Sequence, residues 1–222
     1  MARKNTLADD RRASRPVDDR WNLFKVIFDL KSPPSTISPV PLVYRIDALD
    51  NIFYVNDAWM VWARQNDGDS VMPDYVLGRK LWACMGDPTV LQIYQRMVAQ
   101  ARAGKPVQFN YRCDSPAHRR VFAMSIHSND GIEVEFASAL VHEEVRPVVA
   151  LLQPGRKRDQ RMLRICSWCQ RVAVSVDRWL PVEEAAQVLH LMEADSLPCI
   201  THGMCERCAE TMLKTLEGDS SV

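Results

Sequence analysis

The sequence predicts an α+β protein: one five-stranded antiparallel sheet with flanking helices, followed by a small, separate, treble-clef-like module at the C-terminus. Three observations lead to this reading. Between residues 39 and 145, short alternating segments enclose one long stretch of helical periodicity. Two Cys-x-x-Cys pairs, Cys166/Cys169 and Cys205/Cys208, stand far apart near the C-terminus, within residues 164–218. Between the two regions, residues 146–163 carry Pro147, Pro154, Gly155 and a basic cluster, and read as a linker.

The elements follow in order. Residues 1–17 are polar and aperiodic, and read as a disordered arm. Residues 18–38 open with Trp21, Phe24 and Phe28 at helical spacing and close in the proline-rich "SPPSTISPVP", giving a flanking helix and a break. "VPLVYRID" and "NIFYVN" read as strands around a turn, and "NDAWMVWARQN" as a helix. In "DPTVLQIYQRMVAQARAGKP", Leu91, Tyr94, Val98 and Ala101 line one face, Asp87 caps, and Gly104 and Pro106 terminate. Three alternating strands come next: one with Val107, Phe109, Tyr111 and Cys113 on a face, one with Phe122, Met124 and Ile126, and one with Ile132, Val134, Phe136 and Leu140. The turn "HSNDG" joins the last two. In the tail, "PVEEAAQVLHLM" reads as a helix with Pro181 in its first turn, and Ala209, Met212, Leu213 and Leu216 mark another after Cys205.

Bulk properties exclude some classes. The chain has 222 residues, 47% apolar and 25% charged, with a formal net charge of zero. That balance argues against a general polyanion binder. No apolar run approaches the roughly 20 residues that span a bilayer, so no membrane partner is expected. The N-terminus, "MARKNTLADDRRASRP", is charged and lacks the apolar core of a secretory signal. A cytoplasmic, reducing location is the expectation, and an odd count of seven cysteines fits poorly with a disulfide framework.

The middle segment resembles a PAS domain. The residues that carry the resemblance are "IFYVNDAWMVWA", "VLGRKLWACM" and "RCDSPAHRRVFAMSIHS", in that order. The resemblance implies a sensory or interaction module whose sheet and helices can enclose a small ligand. It also implies pairing through a flanking helix, so a homodimer through residues 18–30 is an expectation. Trp59, Trp62, Trp82, Tyr111 and Phe122 are the candidate pocket lining, with ordinary aromatic core as the plainer reading. The tail is similar to a cysteine-rich segment found on some bacterial signalling proteins, through "CSWC", "RWLPVEEA" and "HGMCERC".

The four thiols also speak for themselves. Residues 164–218 hold few apolar groups, and modules this small generally need a staple. Two Cys-x-x-Cys turns supply four soft ligands in a tetrahedron, which suits a structural zinc. A closed four-sulfur site leaves no open position for hydrolysis. His202 is expected to brace the loop rather than ligate, although it could replace a cysteine. Cys199, in the apolar "LPCI", is expected in the core.

Other signals are weaker. "VHEEVRPVV" mimics a histidine-kinase phosphoacceptor, yet no glycine-rich nucleotide segment follows, and His142 reads as a surface residue at a strand end. Arg112, Arg119 and Arg120, with Asp114 between, read as an exposed ion-paired face. The sequence therefore points to a non-catalytic regulatory protein that pairs a PAS-like sensing or dimerisation domain with a zinc-stabilised module contacting another signalling protein. Two alternatives stay open. One is a DNA-binding regulator using the basic run from Arg156 to Arg171, against which stand Glu183, Glu184, Glu206 and Glu210. The other is a thiol redox sensor using the two cysteine pairs.

Overall fold

The computed structural model describes residues 40–65, 71–192 and 194–218. The arm over 1–17 and the flanking segment over 18–38, with its proposed dimer helix, lie outside the described residues. Strands β1 (Leu42–Ile46), β2 (Ile52–Val55), β3 (Val107–Arg112), β4 (His118–His127) and β5 (Val134–Val145) form one antiparallel sheet in the order β2-β1-β5-β4-β3. Helices α1 (Asp57–Gln65), α2 (Pro73–Val76) and α3 (Pro88–Arg102) intervene between β2 and β3. This is the element order expected from the sequence.

Local chemistry explains why these elements start and stop where they do. β1 alternates, sending Leu42, Tyr44 and Ile46 inward. β4 sends Phe122, Met124 and Ile126 to the same face. Against that face α3 lays Ile93, Tyr94, Met97 and Ala101, a stripe at helical spacing. Asp87 caps α3: its Oδ1 accepts from the Thr89 and Val90 amides, both at 3.0 Å. Gly104 ends the helix with φ +79°, a conformation that favours glycine.

The C-terminal module is a second sheet with its own core. β6 (Arg158–Cys166), β7 (Val172–Ala173), β8 (Trp179–Leu180) and β9 (Leu197–Gly203) lie in the order β8-β7-β6-β9. β6 and β9 run parallel, joined by a crossover that includes α4 (Val182–Val188). α5 (Glu206–Gly218) follows. Two expectations meet a different arrangement. β6 opens at Arg158, inside the segment expected as a linker, and Val149, Leu151 and Leu152 of that segment are buried. They join Leu163, Ile165, Val172, Val182 and Leu197 in an apolar cluster. The tail therefore has an apolar core that residues 164–218 alone could not assemble, because part of it comes from upstream. α4 packs in this cluster through Val182, Ala185 and Ala186.

Candidate metal centre

Two pieces of local structure deliver the four thiols. Cys166 ends β6, and the chain turns back at once: the Gln170 amide donates to the Cys166 carbonyl at 3.0 Å, and Gln170 takes φ +57°. This tight reversal brings Cys169 alongside Cys166. The second pair sits at the start of α5, where Ala209 N–H donates to the Cys205 carbonyl at 3.0 Å. Parallel pairing of β6 with β9 aligns Cys166 with Gly203, so the two halves meet. The Ser167 amide then donates to the Gly203 carbonyl at 2.8 Å, and the Cys205 amide points at Cys166 Sγ at 3.4 Å.

All four sulfurs lie within 4.8 Å of one another, with Cys169 Sγ and Cys205 Sγ 3.8 Å apart. A tetrahedral tetrathiolate with metal–sulfur bonds of ~2.3 Å has sulfur–sulfur edges of about 3.8 Å. The residues fit a metal ion, and an amide aimed at a sulfur is the kind of support that stabilises thiolate charge. Hydrogen bonds among the sulfurs set their acidities. Those with Cys166 and Cys169 pull the Cys205 thiol far down, and the one with Cys166 brings Cys169 to about 7. Hydrogen bonds with Cys169 and Cys205 hold the Cys166 thiol up, and those with Cys166, Cys169 and Cys205 hold Cys208 up. His202 lies outside the four-sulfur group; it is buried in β9 opposite Ile165 of β6. Cys199 is half-buried on β9, its thiol donating to the Asp159 carbonyl at 3.3 Å.

The cysteine turn is seated on the first sheet, a feature the sequence did not announce. Trp168, between Cys166 and Cys169, is buried between α3 and β3. Its ring stacks on Phe109 at 5.4 Å and meets Tyr94 edge-on at 5.6 Å. The Arg112 amide, at the end of edge strand β3, donates to the Trp168 carbonyl at 2.8 Å. Arg112 Nη1 reaches the Cys169 carbonyl at 3.4 Å, and Gln170 Nε2 returns a bond to the Arg112 carbonyl at 3.3 Å. α5 lies along α3, where Gln100 Nε2 donates to the Leu216 carbonyl at 2.6 Å. Gly203 explains itself here too: a Cβ at this position would sit 2.7 Å from Asp87 Oδ2 and 2.9 Å from Arg164 Cδ. The glycine of "HGMC" lets the cysteine module approach the capped end of α3.

No family model and no curated protein matches the chain. Solved structures similar to part of it include a domain of an HTR-like protein from Haloarcula marismortui ATCC 43049, at 14% identity, covering 46% of this chain and 98% of that one, with a TM-score of 0.33. The PAS domain of Bordetella pertussis BvgS is 17% identical, over 46% of this chain and 73% of that one, with a TM-score of 0.31. A fungal LOV-domain photoreceptor is 14% identical, over 56% and 92%, also at 0.31. What makes the domain PAS-like is its own order of elements, with three helices between the second and third strands of a five-stranded antiparallel sheet.

The five aromatic residues expected to line a pocket are packed against other side chains. Ring contacts run from Trp59 through Tyr44, Phe136 and Tyr94 to Trp168. From there they continue through Phe109, Tyr111 and Phe122 to Trp62. Trp82 stands apart, its Nε1 donating to Asp50 Oδ2 at 2.7 Å. Tyr111 shares a 2.5 Å hydrogen bond with Ser138 Oγ, and burial pushes its phenol well up. A ligand entering among these groups has to displace packed rings.

The arginine cluster matches its expected exposed, ion-paired state at Arg119 and departs from it elsewhere. Asp114 and Arg120 are fully buried. Asp114 accepts from Arg112, from the Arg120 amide at 3.2 Å and from Arg146 at 3.0 Å. Arg146 and Arg119 reach Glu183 of α4 at 3.1 and 2.8 Å, so the network joins the two modules. Arg120 pairs with Glu143 across the strands at 2.7 Å and lies over the Trp62 ring at 5.4 Å. Arg119 also pairs with Glu144 at 3.0 Å, which leaves four arginines facing four carboxylates. The sequence marks these residues by type, but not their burial, because the partners Glu143, Arg146 and Glu183 lie well along the chain.

Proposed function

We propose that this chain is a non-catalytic signalling protein in which a PAS-like sensing domain carries a structural zinc module that contacts another signalling protein. The observation that carries this reading is the closed donor set: four cysteine sulfurs at tetrathiolate spacing leave no coordination position for a substrate or an activated water. Soft, all-sulfur ligation favours zinc over harder divalent ions. The seating of that module on the sensing sheet supports a role in which the two act together rather than as beads on a string.

The basic run gives less support to DNA binding. Arg158 is spent on the Pro198, Leu151 and Gln153 carbonyls, Arg161 on Asp159, and Arg164 on the Trp179 ring. None of the described helices is long and apolar enough to cross a membrane.

The test has two parts. Protein purified under reducing conditions is analysed for metal, and about one zinc per chain is expected. Metal-free protein with reversibly oxidised pairs overturns the zinc reading in favour of a redox sensor. Affinity capture from the native cell, followed by reconstitution with the purified partner, addresses the rest. A direct, metal-dependent complex with a signalling protein is the expected result. A DNA shift that falls steeply with salt overturns it.

A further inference from the structure

The ring of Trp168 belongs at once to the cysteine turn and to the core of the sensing sheet. Its flanking residues, Cys166 and Cys169, are two of the four sulfur donors. Its indole occupies the gap between Tyr94 on α3 and Phe109 on β3. Cys166, Cys205, Trp168, Met204 and Met212 form one continuous apolar cluster with the buried residues of the first sheet, whereas the rest of the module has a separate core. The sulfur site is thus built into the sensing domain's packing more than into its own module's.

The backbone follows the same division. Arg112 is gripped three ways: its amide by the Trp168 carbonyl, its guanidinium by the Cys169 carbonyl, and its carbonyl by the Gln170 side chain. Each of those partners lies within or beside the Cys-x-x-Cys turn. A cation drawing Cys166 and Cys169 toward Cys205 and Cys208 fixes that turn, and with it the position of the indole. Without the cation the turn keeps the bonds made by its Cys166, Ser167 and Gln170 amides and the three to Arg112, but no bridging ion ties its two sulfurs to those of the second pair.

We propose that metal occupancy of the four sulfurs and the packing of the PAS-like core form one coupled equilibrium, with Trp168 as the coupling side chain. Metal binding seats the indole between Tyr94 and Phe109, and any ligand or partner that shifts those rings changes metal affinity by the same factor. The inference rests on the reading of the four cysteines as a metal site. It goes beyond that reading because it makes the metal a regulator of the sensing domain rather than a staple for the tail.

The test uses the full chain, zinc and a chelating indicator. Metal stoichiometry is measured first; a wild-type chain that binds no zinc overturns the metal reading, and the coupling with it. With zinc bound, hydrogen exchange is followed in peptides covering Tyr94 and Phe109–Arg112, with and without chelation. Chelation is expected to speed exchange there. Phe109→Ala, which supplies no ligand, is expected to keep one zinc per chain while weakening zinc affinity about three- to tenfold, the range that loss of an aromatic pair implies. Phe109→Tyr is expected to restore it. Phe109→Leu serves as the second variant should the alanine substitution prevent folding. Zinc affinity unchanged within about twofold in the leucine or alanine variant, or exchange in these peptides indifferent to chelation while zinc still binds, overturns the coupling and leaves the metal site standing.

Discussion

Trp168 and Phe109 lie nearly parallel, with ring centroids 5.4 Å apart and planes 24° apart, although one belongs to the cysteine turn and the other to edge strand β3. This pair is a direct apolar contact between the sulfur site and the five-stranded sheet. A double-mutant cycle with Phe109→Leu and Trp168→Leu is expected to return a coupling of about 0.5–1.5 kcal/mol in urea unfolding. A coupling near zero would mean that the rings touch without holding the modules together.

Asp114 is fully buried and faces Arg112 and Arg146. Replacing it with asparagine leaves two guanidinium groups short of an anion in a poorly solvated site. Removal of one partner from a buried ionic network costs about 3–5 kcal/mol. Asp114→Asn is therefore expected to lower the unfolding free energy measured in urea by about that much, whereas Glu144→Gln, on an exposed pair with Arg119, changes it by no more than about 1 kcal/mol.

Gly203 has room for hydrogen only. A methyl group would press on Asp87, fixed as the α3 cap, and on Arg164, fixed over Trp179. Gly203→Ala is expected to cost about 1–3 kcal/mol, as overpacking does. The check is thermal unfolding of the variant beside Asp87→Ala/Gly203→Ala. Partial recovery in the double variant, after allowing for the lost cap, identifies the clash as the cause.

Glu183 gives a pH dependence. Burial pushes its carboxyl up, but hydrogen bonds from Arg119 and the charge of Arg146 outweigh burial and hold it below the ordinary carboxylate range. A carboxyl that ionises more easily when folded adds stability above its unfolded pKa and loses it as pH falls through the folded value. The stability difference between wild type and Glu183→Gln is expected to be full at neutral pH and to shrink toward zero under acid, as measured by urea midpoints from pH 7 downward. A constant difference across that range would exclude the charge as its origin.

Chelation is expected to act locally. The cluster around Leu163, Ile165, Val182 and Leu197 contains none of the four ligands, so its amides stay protected. Exchange rises instead at residues 166–170 and 203–208, and around Tyr94 and Phe109–Arg112 where Trp168 is seated. Uniform loss of protection across the whole tail would show that the second core does not stand without the metal.

Much of this architecture is visible in the sequence, for identifiable reasons. Strands β1, β3, β4 and the first half of β5 alternate because one face is buried, and α3 carries both its cap at Asp87 and its stop at Gly104. The four ligands are legible because a spacing of two residues is a local signal. What stayed hidden depends on long-range pairing. β6 reads as part of a linker, since Gln160, Arg161, Met162 and Arg164 are exposed, and its parallel partner β9 begins only at Leu197. Trp168 gives no hint of its destination: the neighbours that bury it are Tyr94 on α3 and Phe109 on the other sheet. Asp114 and Arg120 look like surface charges because the partners that neutralise them, Arg146 and Glu143, lie well along the chain.

The Arg112 amide finds its acceptor only at Trp168. During synthesis the five strands of the first sheet are complete at Val145, before the cysteine turn has left the ribosome. For that interval the rim at β3 stays uncovered, with Phe109 and Tyr94 facing solvent, a state prone to pairing with neighbouring chains. A gene fragment that stops after the first sheet would make that interval permanent, and the clipped product should clump where the whole chain stays dispersed.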